Sequence, residues 1–273
     1  TAAAVGLAAL LVEKEGEDAS FALLPADHVI EDAVGFQATL ETAFEAAEVE
    51  DQLVTVGIKP TFPSTGYGYL EQGDGLGEYA NCAVAAVSRF VEKPNLEKAE
   101  EYLNAGNYFW NAGMFIWRPE VILAEIDRLV PKLSVGLKEL KDTWTNSGNL
   151  AEAMDQVYPG LEKISIDFAV MEKAERVAMV EASFDWDDVG EWPAIERHYP
   201  KDENRNVFKG EGIALDSSGN LTFSESGHCI TLLGVKDLIV VQSGDATMVC
   251  HKDRAQEVKA LAQAVGEKNS SLT

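Results

Sequence analysis

The stretch Arg89-Phe90-Val91-Glu92-Lys93-Pro94 decides how the rest of this sequence is interpreted. The apolar run that leads into it predicts a buried strand, which Pro94 ends because it has no N–H, and Pro94 also favours extended backbone at Lys93. Asn95 is a good N-cap for a helix that follows. A carboxylate and an ammonium therefore lie at a strand-to-helix turn, where open α/β sheets bind ligands. Glu92 can accept hydrogen bonds from sugar hydroxyls and Lys93 can bind a phosphate, although a solvated charged loop is the commoner structure for such a stretch.

The composition indicates a globular, strongly acidic protein. The chain has 273 residues, 46% of them hydrophobic, which suits one large or two modest domains. Its formal charge is −24, from 22 basic and 46 acidic side chains. Such a field repels nucleic acids and anionic membranes, so we expect neither as a partner. It also repels phosphorylated substrates, so any phosphate chemistry requires positioned Lys or Arg side chains and a divalent cation.

The cysteines and the apolar segments bear on location. Cys82, Cys229 and Cys250 show no C-x-x-C spacing, which argues against a disulfide framework or a zinc knuckle and favours a reducing cytosol. We therefore expect a cytoplasmic protein. No apolar run reaches the roughly 18 residues of a membrane span, and the apolar first residues lack the basic start of a signal peptide.

The order of the predicted elements indicates two domains, 1–203 and 204–273. The first shows the helix, strand, helix, strand rhythm of a doubly wound parallel sheet. After Asn204, short strands alternate with turns at roughly ten-residue intervals, which predicts a small all-β roll or a short β-helix. A final helix is predicted from Asp253, with Gln256 as its capping-box partner.

Four further segments contain candidate ligand-binding residues, each with a structural alternative. In the segment 65–69, Gly68 permits close approach of a ligand and Tyr67 can cover a sugar face, but a surface hairpin fits equally well. Asn111 lies in an apolar run and must be hydrogen-bonded, either to a ligand or to a neighbouring turn. Ser165 or Asp167 can simply cap a helix. The acids of the run 184–192 are most simply solvated loop residues.

Taken in order, seven segments resemble one family, the bacterial mannose-1-phosphate guanylyltransferases, which are sugar-nucleotide nucleotidyltransferases. The segments are Pro25-Ala26-Asp27-His28, Thr65-Gly66-Tyr67-Gly68-Tyr69, Phe90-Val91-Glu92-Lys93-Pro94, Trp110-Asn111-Ala112-Gly113-Met114-Phe115, Ser165-Ile166-Asp167, Ala169-Val170-Met171-Glu172 and Trp186-Asp187-Asp188-Val189-Gly190. The resemblance covers essentially the whole chain. Uridylyl- and thymidylyltransferases share the Glu-Lys-Pro segment but are less similar around Trp110 and Ser165.

The resemblance implies a fold, a reaction and a set of site residues. The fold is a Rossmann-like nucleotidyltransferase sheet with helices on both faces, followed by a small C-terminal, β-helix-like region that ends in a helix. The substrates are mannose 1-phosphate and GTP, the products are GDP-mannose and pyrophosphate, and a homodimer is the expected assembly. The implied catalytic residues are Asp27, Lys93 and Asp188. Of these, Asp27 and Asp188 would hold Mg²⁺, and Lys93 would bind the phosphate. The sugar would be bound by Tyr67, Gly68, Glu92, Asn111 and Asp167.

One departure from the family concerns the N-terminus. Family members begin with a glycine-rich loop that contains an Arg and is followed by a Lys, and this loop cradles the GTP phosphates. The present sequence starts after that segment, so we expect a truncated form with low activity. A catalytically silent sugar-phosphate-binding or regulatory paralogue is the alternative, and the retained Asp27, Lys93 and Asp188 favour the enzyme.

Overall fold

The computed structural model describes residues 1–16, 19–49, 52–79, 82–225 and 227–268. The chain divides into two compact units, Thr1–Trp186 and Asp187–Thr273, and each is described by itself. Among the described residues, no helix combines the length and apolar character that crossing a membrane requires.

The first unit is built on one six-stranded sheet. Its elements are α1 (Ala2–Glu15), β1 (Phe21–Leu23), α2 (Ala33–Val49), β2 (Leu53–Ile58), β3 (Tyr69–Tyr79), β4 (Cys82–Val91), α3 (Leu96–Ala105), β5 (Tyr108–Trp117), α4 (Pro119–Leu129), α5 (Pro131–Ser147), α6 (Leu150–Val157) and β6 (Val177–Glu181). The strand order is β1-β5-β2-β6-β4-β3, with an additional pairing of β5 and β3.

The sheet is mixed, whereas the alternation of helices and strands predicted a parallel one. Among the described residues of this sheet only β2 and β6 pair in parallel, and the other pairings are antiparallel. For β3 and β4 the reason is that only two residues separate them along the chain, and strands joined by so short a connection can pair only antiparallel.

Helices cover both faces of the sheet, as the resemblance implied. Successive residues of β2 point to opposite faces, so Leu53 belongs to one hydrophobic core and Val54 and Val56 to another. The first core includes buried side chains of α1, α4 and α5, and the second includes those of α2 and α3. The predicted α/β class is confirmed.

The second unit stacks short parallel strands. Its elements are α7 (Trp192–Ile195), β7 (Val207–Lys209), β8 (Gly212–Leu215), β9 (Leu221–Ser224), β10 (Ile230–Leu233), β11 (Leu238–Ser243), β12 (Ala246–His251) and α8 (Val258–Lys268). Strands β7, β9 and β11 align Val207, Leu221 and Ile239 in one row, and β8 and β10 form a second parallel pair. Stacked short strands from successive coils are the arrangement of a β-helix, so the predicted β-rich C-terminal region with a terminal helix is confirmed.

A ladder of buried amides fixes the register of these coils. Both the backbone N–H and the side-chain amide of Asn220 donate to Asn206 Oδ1, at 3.0 and 2.9 Å. The Leu238 N–H in turn donates to Asn220 Oδ1 at 2.9 Å. The two side-chain amides also donate to the carbonyl oxygens of Ser217 and Val235. Because both asparagines are almost completely buried, these bonds satisfy groups that would otherwise be costly to desolvate.

Candidate active site

The turn between β4 and α3 carries Glu92 and Lys93, as the sequence predicted. Asn95 caps α3, since its side-chain oxygen accepts the Lys98 N–H at 2.9 Å. Lys93, however, has a φ of 46°, which is left-handed and not the extended backbone predicted before a proline. The contacts of the turn override the preference for extended backbone before a proline. A non-glycine residue held in the left-handed region costs about 1–3 kcal/mol of backbone strain.

Gly68 lies directly against the Glu92 carboxylate. The Asn111 N–H donates to the Gly68 carbonyl oxygen at 2.8 Å, which fixes the entry into β3 beside β5. A Cβ atom on Gly68 would lie only 2.6 Å from Glu92 Oε2 and 3.5 Å from the Cβ of Asn111. A larger residue at this position would displace the Glu92 carboxylate from where it now lies, so glycine preserves this close approach of the backbone to Glu92.

The Asn111 side chain is held by both a turn and an acid. Its Oδ1 accepts the Gly113 N–H at 3.2 Å and the Thr55 hydroxyl at 2.8 Å, and that hydroxyl also lies 3.0 Å from the Met114 carbonyl oxygen. Its Nδ2 donates to Asp167 Oδ1 at 3.4 Å. The pairing of β2 with β5 shifts register here, and Gly113 has a φ of 68°. The bulge in β5 thus turns Asn111 toward Asp167.

Asp167 opens a single π-helical turn, Asp167–Met171, which the Glu172 N–H closes by donating to the Asp167 carbonyl oxygen at 3.0 Å. Such turns are rare and occur frequently at functional sites. Ser165 provides the cap, because its hydroxyl accepts the Phe168 N–H at 3.3 Å, and this leaves the Asp167 carboxylate to face Asn111. Between the two acids, Ala169–Met171 are buried in the core.

Burial and like charge govern the electrostatics of this site. Burial raises the pKa of Glu92, and the negative charges of Asp167 and Glu172 raise it further, while Lys93 works in the opposite direction. Burial likewise raises the pKa of Asp167, again opposed by Lys93. The Lys93 ammonium lies 3.1 Å from Glu92 Oε1 and remains mostly exposed, so it is available to an anion from solvent.

Tyr67 belongs to an aromatic cluster beside Gly68. Its ring centroid lies 5.0 Å from that of Trp110, 5.3 Å from that of Trp186 and 6.3 Å from that of Phe62. The Trp186 Nε1–H donates to His28 Nδ1 at 3.0 Å, which links the cluster to the loop that follows β1. The segment 65–69 is therefore not a hairpin, because β3 begins only at Tyr69 and pairs with both β4 and β5.

The acids of the run 184–192 have different roles. Asp185 accepts the N–H groups of Asp32 and Glu31, and these bonds lower its pKa. Asp187 is buried, which by itself raises a carboxyl pKa, but its bonds from Arg197 and other donors outweigh this effect and hold the pKa of Asp187 below its usual value. Both of these carboxylates are therefore hydrogen-bonded within the protein.

The two predicted metal ligands belong to different units. Asp27 is exposed in the loop after β1, in the first unit. Asp188, in the second unit, accepts the Gly190 N–H at 3.2 Å and precedes Val189, whose φ of 46° is unusual for a β-branched residue. Within the described residues no three His, Cys, Asp or Glu side chains cluster in a way that suggests a metal site. The pairing of Asp27 with Asp188 around one ion stays a prediction.

The structure therefore brings five of the predicted residues together in the first unit, namely Gly68, Glu92, Lys93, Asn111 and Asp167. Sequence reasoning missed two more. Thr55 is fully buried in the apolar strand β2. Because a buried hydroxyl must have a hydrogen-bond partner, its position in an apolar run could have predicted such a contact. Glu172 ends the segment Ala169-Val170-Met171-Glu172, but nothing in the spacing of that segment predicts that Glu172 Oε1 accepts the Glu92 N–H at 3.1 Å.

Comparison with known proteins gives the family. The Nucleotidyl transferase profile matches residues 1–205, which is three quarters of the chain. The chain belongs to the nucleotidyl transferase family. A second profile, the MannoseP isomerase/GMP-like beta-helix domain, matches residues 210–264 of the chain. The predicted boundary between residues 203 and 204 stays a prediction.

Individual relatives agree with this assignment. The chain is 37% identical to the xanthan biosynthesis protein XanB of Xanthomonas campestris pv. campestris (strain B100) over 97% of its length. It is 34% identical to a mannose-1-phosphate guanylyltransferase of Klebsiella pneumoniae over 99% of the chain. These alignments cover 55% and 57% of the two relatives, so the chain spans about half the length of the curated relatives it matches.

A solved structure agrees over both units. The crystal structure of a protein titled mannose-1-phosphate geranyltransferase, from Thermus thermophilus, matches with a TM-score of 0.81 at 37% identity. The match covers 97% of this chain and 75% of that chain. The resemblance drawn from the seven sequence segments is confirmed.

Proposed function

We propose that the chain acts as a mannose-1-phosphate guanylyltransferase, which makes GDP-mannose and pyrophosphate from mannose 1-phosphate and GTP. The observation that carries this proposal is the convergence of Glu92, Lys93, Asn111 and Asp167 around the backbone of Gly68. Carboxylate and amide oxygens accept hydrogen bonds from sugar hydroxyls, and an exposed ammonium beside them binds a phosphate. Such a set suits a ligand that combines a hexose with a phosphate.

In the proposed reaction, an oxygen of the sugar phosphate attacks the α-phosphorus of GTP. A new phosphorus–oxygen bond forms there, and the bond to the bridging oxygen of the β-phosphate breaks, so that pyrophosphate leaves with the electron pair. The attacking oxygen is already an anion and needs no general base. The protein therefore contributes mainly by positioning the two substrates and by electrostatic stabilisation. In this proposal Lys93 holds the phosphate, while Glu92, Asn111, Asp167 and the Gly68 backbone orient the sugar beneath Tyr67.

Asp27 and Asp188 are the residues that would hold Mg²⁺. The donor set fits this ion, because hard carboxylate oxygens suit it and the neighbouring Asp185 and Asp187 are already bound to backbone amides and to Arg197. When bound, Mg²⁺ supplies charge neutralisation to the phosphates of the substrates. The acidic surroundings make such a cation necessary, since the whole chain carries a formal charge of −24.

The proposal includes the cytoplasm as the location and a homodimer as the assembly. The location is supported by the spacing of Cys82, Cys229 and Cys250, which form no C-x-x-C pair and are typical of a protein from a reducing compartment. The homodimer rests on the family resemblance alone.

The proposal is tested by Lys93→Ala, with binding of mannose 1-phosphate and of mannose measured by calorimetry. Because a charge-assisted contact to phosphate contributes about 1.5–3 kcal/mol, we expect affinity for mannose 1-phosphate to fall roughly ten- to a hundredfold, and affinity for mannose to change little. The matched control is Lys98→Ala, since Lys98 is an exposed lysine on α3 that pairs with Glu101.

Two outcomes would count against parts of this proposal. Equal losses for both ligands would mean that Lys93 shapes the turn and does not contact phosphate. Binding of mannose 1-phosphate without any release of pyrophosphate from GTP, in a protein that also carries the family's glycine-rich loop, would favour the silent sugar-phosphate-binding paralogue.

A further inference from the structure

We propose that Glu172 is a positioning residue, which holds the Glu92–Lys93 turn in the conformation that binds the sugar phosphate. The inference rests on the proposed function, because it assigns to that site a residue that does not itself contact the ligand. Its basis is the bond from the Glu92 N–H to Glu172 Oε1, at 3.1 Å, across 80 positions of sequence.

The turn needs an external support. Pro94 offers no N–H of its own, and Lys93 is held at a φ of 46°, which a pre-proline residue does not adopt by local preference. Strained conformations persist only where the surroundings over-determine them. A carboxylate that accepts the N–H of the residue just before Lys93 supplies such a constraint, because a hydrogen bond to an ionised acceptor is stronger than one to a neutral acceptor.

The π-helical turn makes this support rigid. Its first residue is Asp167 and the residue that closes it is Glu172, so the two carboxylates flank a segment in which Ala169–Met171 are buried in the core. Asp167 faces Asn111, and Glu172 faces the Glu92 backbone. An ordinary α-helical turn closes one residue earlier and would rotate Glu172 by about 100° relative to Asp167. One rigid turn thus aligns both halves of the sugar-phosphate site.

The test compares Glu172→Ala, Glu172→Gln and the control Glu175→Ala, an exposed acid three residues further along. Amide hydrogen exchange of the ¹⁵N-labelled chain, resolved by residue, reports the Glu92 N–H without any ligand. We expect Glu172→Ala to accelerate exchange at Glu92 by about ten- to a hundredfold and to leave the core of β2 unchanged. Glu172→Gln should restore most of the protection, because its amide oxygen can accept the same N–H, and Glu175→Ala should change nothing.

Calorimetry with mannose 1-phosphate then gives the second readout. We expect affinity to fall about tenfold in Glu172→Ala and to stay within about twofold in Glu172→Gln. Unchanged exchange at Glu92, or a loss of protection over the whole unit, would overturn the positioning role. An equal loss of affinity in the Gln and Ala variants would mean that Glu172 acts through its charge on the ligand. If the unsubstituted chain does not bind mannose 1-phosphate, the proposed function fails, while the exchange experiment still decides whether Glu172 holds the turn.

Discussion

Glu92 illustrates a conflict between stability and binding at the scale of one residue. Its side chain is only 10% exposed, and burial raises its pKa. The folded protein therefore binds this proton more tightly than the unfolded chain does. The contribution of Glu92 to stability is greatest below the usual glutamate pKa of about 4.3, and it declines as the pH rises through the folded-state pKa. At neutral pH the ionised carboxylate is a cost that the fold tolerates.

Glu92→Gln is expected to raise Tm at pH 7 by a few degrees, because it removes a buried charge and keeps the size of the side chain. It should also flatten the decline in stability above about pH 4.3 and weaken binding of mannose 1-phosphate about tenfold, since a neutral acceptor replaces a charged one. Thermal unfolding from pH 4 to 8 and calorimetry measure these effects. The matched control is Glu100→Gln on the exposed face of α3. A lower Tm at pH 7 in Glu92→Gln would contradict the expected cost of burial.

At the scale of elements, the bulge in β5 links backbone conformation to the site. Gly113, with a φ of 68°, lies two residues after Asn111, and its N–H donates to the Asn111 side chain. A Cβ on Gly113 meets no atom closer than 3.8 Å, so the cost of Gly113→Ala lies in the backbone and not in a collision. Left-handed backbone costs an alanine about 1–2 kcal/mol.

Gly113→Ala is therefore expected to lower stability by about 1–2 kcal/mol and also to weaken mannose 1-phosphate binding severalfold, because the relaxed bulge no longer orients Asn111. Gly106→Ala provides a close control. Gly106 also has a positive φ, 77°, and free space around it, but it ends α3 away from the bulge. Denaturant unfolding should show similar losses for both variants, and calorimetry should show weaker binding only for Gly113→Ala. Equal affinities would mean that the bulge does not orient Asn111.

The elements around the site could be predicted from sequence because their signals are local. The apolar run, Pro94 and Asn95 define the end of β4 and the cap of α3, and the structure has both. The left-handed Lys93 and the π-helical turn could not be predicted, because each depends on groups distant in sequence. The grouping of Glu92, Asn111 and Asp167 came from the family resemblance, since no periodicity indicates contacts between residues so far apart.

At the scale of the whole molecule, the charge of −24 opposes the proposed anionic substrates. The repulsion is summed over many distant carboxylates, whereas the attraction of Lys93 acts at contact distance. Salt shortens the screening length from about 30 Å at 0.01 M to about 8 Å at 0.15 M. The repulsion by distant carboxylates is then screened, whereas most of the attraction between Lys93 and a phosphate in contact with it remains.

We therefore expect the affinity for mannose 1-phosphate to rise a fewfold when KCl increases from about 10 to about 150 mM, the opposite of the behaviour of a basic phosphate-binding protein. Mannose, which carries no charge, should bind equally at both concentrations. Calorimetry at constant Mg²⁺ concentration checks this. A fall in mannose 1-phosphate affinity with salt would show that local cations dominate the field at the site.

The asparagine ladder of the second unit has a consequence for how this part of the chain can change in length. Each amide directly precedes a residue of the aligned row Val207, Leu221 and Ile239, so an insertion between an asparagine and its strand would separate the two. The steps of the ladder span 14 and 18 residues, which shows that the connecting loops absorb differences in length. The third position of the ladder is Leu238, which offers only its backbone N–H and has no side-chain oxygen to accept from a further coil. The side chain at this position therefore limits the number of aligned coils. An asparagine can align the next coil, and a leucine cannot.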